Sequence, residues 1–103
     1  MAVAADIENK VNTFLKLVST KINISHAYLS GSAAKDNRHA WSDIDLAIVS
    51  PAFSGDNFED NKLLIPFILE VDHSIEVHPF RPHDFTPDNP FVNEIMKTGI
   101  HIL

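Results

Sequence analysis

The chain has 103 residues, 45% of them apolar and 21% charged, with a formal net charge of −6 and no cysteine. That length suits one compact domain spanning residues 1–103, the composition is that of a folded protein rather than a disordered tract, and the lack of cysteine excludes disulfides and thiolate metal sites. The acidic balance repels phosphate backbones at long range, so an extended nucleic-acid footprint is not expected, and any phosphate handled here must be met by a cation or by backbone N–H groups.

Met1 to Lys10 carries Asp6 and Glu8 and no apolar run of the length of a signal peptide or a membrane span. A cytoplasmic protein with no membrane association is therefore the expectation. Ile7, Val11, Phe14, Leu15, Val18 and Ile22 recur at helical spacing, which predicts an amphipathic helix from about Ala5 to Lys21. His26 to Ser30 reads as a short strand ended by Ser30-Gly31-Ser32, where glycine permits backbone angles that a larger residue resists. Ala33 to Lys35 is placed at the start of a short helix, and Asp36 to Ser42 reads as a polar loop. Asp43-Ile44-Asp45-Leu46-Ala47-Ile48-Val49 is the clearest strand in the chain.

A second helix is predicted from near Asp56, with Glu59 three residues on as in a capping box, turning Leu63, Leu64, Phe67 and Ile68 to the core. Ser74 to Phe80 alternates Ile75, Val77 and Pro79 against Glu76, His78 and Phe80, the period of a strand. Pro82, Pro87 and Pro90 mark an extended loop before a third helix near Phe91 to Thr98, stopped by Gly99, and Ile100 to Leu103 closes as a short strand. The order helix, strand, helix, strand, helix, strand predicts an α/β fold: one small mixed sheet with helices packed on it.

Side chains two apart on a strand share a face, so Asp43 and Asp45 point one way while Ile44, Leu46 and Ile48 enter the opposite layer. Glu76 stands in the same relation to its own strand and joins the two aspartates if these strands are neighbours. Three carboxylates about 5 Å apart at an effective dielectric near 20 would repel by roughly 3 kcal/mol per pair, a sum comparable with the stability of a small domain. Such a cluster must hold protons, stand further apart, or bind a metal. All-oxygen ligands suit a hard divalent ion such as Mg²⁺, which commonly bridges carboxylates to substrate phosphates. A solvated Asp-x-Asp pair at the start of an edge strand is the plainer alternative. The Gly31-Ser32 turn adds weight, because the residues after such a turn offer N–H groups and a hydroxyl to a phosphate.

Taken together, Ser30-Gly31-Ser32, ten intervening residues, Asp43-Ile44-Asp45-Leu46-Ala47-Ile48 and the later Ile75-Glu76-Val77 resemble the signature of the DNA polymerase beta-like nucleotidyltransferase superfamily, in particular its minimal single-domain branch. The resemblance implies that Asp43, Asp45 and Glu76 form the catalytic, metal-binding triad, with Glu76 helping to activate the attacking hydroxyl. Gly31 and Ser32, with Lys35, would then hold the nucleotide. It also implies Mg²⁺ or Mn²⁺ as cofactor, a nucleoside triphosphate as substrate, and transfer of a nucleoside monophosphate, AMP from ATP in the leading reading, to a hydroxyl. Minimal members often accompany a helical HEPN-type partner protein, which implies a toxin–antitoxin setting with that partner as acceptor. The chain departs from the pattern after the turn: Ala33, Ala34, Lys35 and Asp36 replace an arginine-rich run, leaving Lys35 and Arg38 as the positive charges. That departure keeps a second reading open, an antitoxin-like module that occludes its partner without catalysis, and a third, a homo-oligomeric nucleotide-sensing domain.

Several residues invite more than their pattern carries. His73, His78 and His83, with His39 and His101, suggest a histidine metal site; His78 shares the face of Glu76 and could contact a ligand or tune that acid, but a partly exposed strand histidine is the commoner explanation. Trp41 is read as loop packing rather than as a base-stacking residue, and Phe80, Phe85 and Phe91 as packing around the proline-rich loop. Tyr28, inside a strand expected to be buried, is a poor modification site.

Overall fold

The computed structural model describes residues 5–31 and 43–103. Within them lie helix α1 (Ala5–Ser19), strands β1 (His26–Ser30) and β2 (Ile44–Val49), helix α2 (Asn57–Val71), strand β3 (Ile75–Phe80), a 3₁₀ turn (Pro82–Asp84), helix α3 (Pro90–Thr98) and strand β4 (Ile100–His101). The expected turn residues Ser32 and Lys35, the short helix after them, and Arg38, His39 and Trp41 lie outside the described residues.

The strands form one mixed sheet in the order β3-β2-β1-β4. β1 pairs antiparallel with β2 and with β4, while β2 and β3 are parallel, joined by α2 as the crossover that parallel neighbours require. The α/β expectation therefore holds, with a mixed sheet carrying its helices. α1 turns Ile7, Val11, Phe14, Leu15 and Val18 into a core shared with Ala27, Leu29, Ile44, Leu46, Ile48, Leu64, Ile75 and Val77. These strand residues are the alternate positions of β1, β2 and β3, so the helical layer of α1 and α2 takes one face of the sheet and leaves the other to different residues.

α1 stops at Ser19, short of the expected Lys21, because Thr20 and Lys21 leave the helix in a turn that still brings Ile22 back to the core through Ile22 N–H donating to the Val18 carbonyl. α2 begins as half of a capping box: Asp56 accepts from the N–H groups of Phe58 and Glu59, but the N–H of Asp56 donates to Ser54 Oγ rather than to Glu59. On α2 only Leu64 of the expected apolar face is fully buried, with Leu63, Phe67 and Ile68 packed at its margin. Asp60 is buried as well, accepting from Ser54 N–H, Ser54 Oγ and Gly55 N–H, and so fixes the loop that enters the helix.

Gly99 ends α3 as expected, but for a different reason than a left-handed cap. Its φ is −75°, an ordinary value, and its N–H donates to the Ile95 carbonyl. A Cβ there would stand 2.5 Å from Ile95 O and 3.2 Å from Leu29 O, so a side chain would collide with the last turn of α3 itself and crowd β1.

Candidate active site on the second face of the sheet

The face turned away from α1 and α2 carries His26, Tyr28 and Ser30 of β1, Asp45, Ala47 and Val49 of β2, and Glu76, His78 and Phe80 of β3. Register places Asp45 directly between Ser30 on one side and Glu76 on the other. The aromatic end of this face is closed by Phe85 and Phe91: Tyr28 stacks on Phe85, Phe80 meets Phe85 edge-on, and Phe91 stands edge-on to His78 with ring centroids 5.0 Å apart. At the other end the acids are open to solvent.

Asp45 is half-buried and Glu76 exposed. His78 Nε2 lies 3.3 Å from Asp45 Oδ1, and with that nitrogen protonated it donates to the carboxylate. One ligand atom each from Asp45, Glu76 and His78 lie within 4.8 Å of one another. Among the described residues this is the group of three acids and histidines placed to share a cation. Asp43 precedes β2, is exposed, and stands outside that group; it borders, with Glu76, a shallow depression at the start of β3. The structure thus brings Asp45 and Glu76 together, adds His78, and leaves Asp43 beside them.

Gly31 follows β1 with φ +68°, in the left-handed region, and a Cβ at this position would stand 2.5 Å from Asp45 Oδ2. The chain thus needs glycine here both for its backbone angle and for the space beside the carboxylate. Ser30, Gly31, Asp45, His78, Phe91, Glu94 and Thr98 line a cleft of about 230 Å³. Ser30 Oγ is buried in its wall with no hydrogen-bond partner among the described residues. A larger apolar depression of about 520 Å³ lies between the end of α1 and α2, lined by Lys21, Glu59, Lys62, Leu63, Pro66 and Phe67, and holds no paired carboxylates.

The histidine site conceivable from sequence does not form: among the described residues His73 and His83 stand apart from His78. His101 instead meets His26, Nε2 to Nδ1 at 3.3 Å, across the β1–β4 edge. Tyr28 is half-buried and stacked between His101 and Phe85 rather than enclosed in the core. No helix among the described residues is long and apolar enough to cross a membrane.

The second face thus sets two acids at matched positions of parallel neighbours, beside a tight glycine turn. The sequence matches the nucleotidyltransferase domain family over residues 11–99, and the chain belongs to that family of transferase enzymes. A crystal structure of a putative nucleotidyltransferase from Sulfolobus solfataricus is similar at 15% identity, with 95% of this chain and 86% of that one covered and a TM-score of 0.62. A mutant of the toxin–antitoxin pair MntA–HpeT is similar at 24% identity, with 93% and 71% covered and a TM-score of 0.64. A toxin–antitoxin structure with AMP-PNP is similar at 21% identity, with 91% and 70% covered and a TM-score of 0.63. At these identities the likeness is one of fold. No curated protein matches the chain significantly.

Proposed function

We propose that the chain transfers a nucleoside monophosphate, AMP from ATP, to a hydroxyl of a protein partner, using Asp43, Asp45 and Glu76 with a divalent cation. The observation that carries this reading is the register match of Asp45 and Glu76 beside Gly31. The residues present suit a divalent cation: carboxylate oxygens converge with an imidazole, and the neighbouring Ser30 hydroxyl is buried with no partner among the described residues. Asp45 and Glu76 would hold the ion with Asp43 at the margin, and Mg²⁺ or Mn²⁺ there would supply charge neutralisation for the phosphates and a lowered pKa for the attacking hydroxyl.

Gly31 lets the backbone approach the phosphates closely, and Ser32 and Lys35 follow as further phosphate contacts. Glu76, exposed at the rim, is free to take the proton of an incoming hydroxyl. The cleft under α3 sets Phe91 and Thr98 beside Asp45. The acceptor's hydroxyl must reach the rim from outside, which favours a partner chain as acceptor. The toxin–antitoxin names of two similar structures support a protein partner of that kind, for which a helical HEPN-type protein is the leading candidate.

Incubation of the purified chain and the product of its neighbouring gene with labelled ATP and Mg²⁺ tests the reading. Label on the partner is the expected result. A stable complex without label selects the second reading, an occluding module, which the Ala33-Ala34 departure after the turn favours.

A further inference from the structure

His78 stands two residues beyond Glu76 on the same face of β3, and its imidazole reaches across to β2. Phe91 holds the ring from the side of α3, edge-on at 5.0 Å. Nε2 is therefore aimed at the carboxylates, 3.3 Å from Asp45 Oδ1 and in one group with Glu76. Adjacent donors around an octahedral cation with bonds near 2.1 Å are about 3 Å apart, so the Asp45–His78 pair is spaced almost as the edge of such a polyhedron. Ser30 Oγ, buried beside the same carboxylate and without a hydrogen-bond partner among the described residues, is an independent sign that this end of the cleft receives a polar group.

We propose that His78 is an inner-sphere ligand of the cation held by Asp45 and Glu76, so that the site prefers Mn²⁺ to Mg²⁺. The inference deepens the metal-dependent reading above and rests on it. Mg²⁺ selects oxygen donors and keeps much of its water, whereas imidazole nitrogen suits first-row transition ions. An oxygen, oxygen, nitrogen set therefore shifts preference away from Mg²⁺ and toward first-row transition ions, of which Mn²⁺ is the one nearest Mg²⁺ in its taste for oxygen donors. With Nε2 protonated, His78 donates to Asp45 Oδ1; as a ligand it would offer the Nε2 lone pair to the ion and carry its ring proton on Nδ1. The second carboxylate oxygen, Oδ2, stays on the side of Gly31.

Pulsed EPR of the full chain loaded with Mn²⁺ alone reads the ligand directly, since a coordinated imidazole imprints nitrogen coupling on the echo decay. We expect that coupling in the parent and its loss in His78→Ala and His78→Gln. Loss of an outer-sphere partner alone weakens metal binding about tenfold or more, so both variants should lose at least about tenfold in Mn²⁺ affinity. Mg²⁺ affinity should change by no more than about twofold, because Mg²⁺ gains little from an imidazole. Mn²⁺ bound in an Asp45-dependent way but without nitrogen coupling, or an unchanged Mn²⁺:Mg²⁺ ratio in folded variants, would overturn the assignment of His78 while leaving the carboxylate site standing. Mn²⁺ binding indifferent to Asp45→Asn would remove the metal site itself, and the inference with it.

Discussion

Asp45 has its two carboxylate oxygens committed in different directions, Oδ1 toward His78 and Oδ2 toward Gly31. A side chain at residue 31 would push on Oδ2 and would adopt a backbone angle that costs an L-residue about 1–2 kcal/mol. Gly31→Ala should lower stability by about that amount. Its effect on nucleotidyl transfer should be larger, since a displacement of about 1 Å at a reacting group costs on the order of 10²-fold. Thermal unfolding and transfer rate measured on the same preparation check this; a variant that loses stability but keeps its rate would show that the turn does not position Asp45. Strand parity made the shared face of Asp43 and Asp45, and that of Glu76 and His78, legible in the sequence. The weight of His78 was not, because its contact with Asp45 depends on the β2–β3 register, which a single strand does not reveal. The His26–His101 contact was hidden for the same reason, joining residues 75 positions apart.

β3 is delivered to its place by a clasp at its start. Lys10 of α1 reaches Asp72 at 2.7 Å, and Asp72 also accepts from Ser74 N–H and Ser74 Oγ. The Lys10 ammonium, followed by these Ser74 hydrogen bonds, holds the Asp72 carboxyl well below the usual carboxylate range. A folded pKa below the unfolded value of about 3.9 stabilises the fold above that pH, and the contribution fades as pH falls through the folded value. Asp72→Asn should therefore cost about 1–3 kcal/mol at neutral pH, the scale of a hydrogen bond to a charged group. The gap from the parent should stay level from pH 7 to about 5 and narrow below about pH 4. Urea unfolding across that range checks the sign, and a gap that widens in acid would contradict it. At this scale the helices and strands were largely readable from periodicity and caps, as with Asp56 accepting from the N–H groups of Phe58 and Glu59 at the start of α2. Burial of Asp60 was not readable, since an acid in the first turn of a helix ordinarily faces water and only the loop folded back over it explains its place.

For the molecule as a whole, the mixed sheet divides labour between its faces, one packed by α1 and α2 and the other carrying the acids under α3. A cation bound by the folded chain and not by the unfolded one must stabilise the fold. Mn²⁺ or Mg²⁺ should raise the melting temperature, and the double change Asp43→Asn with Asp45→Asn should abolish the rise. An unchanged response in that double variant would put the ion elsewhere. The central claim concerns Glu76, which register sets beside Asp45 and which keeps its volume on conversion to glutamine. The most direct measurement is the rate of labelled-nucleotide transfer to the partner by Glu76→Gln beside the parent chain, at matched folding and partner binding. The account predicts a loss of roughly 10²–10⁴-fold, the scale of a general base, with partner binding unchanged; transfer at the parental rate would contradict it.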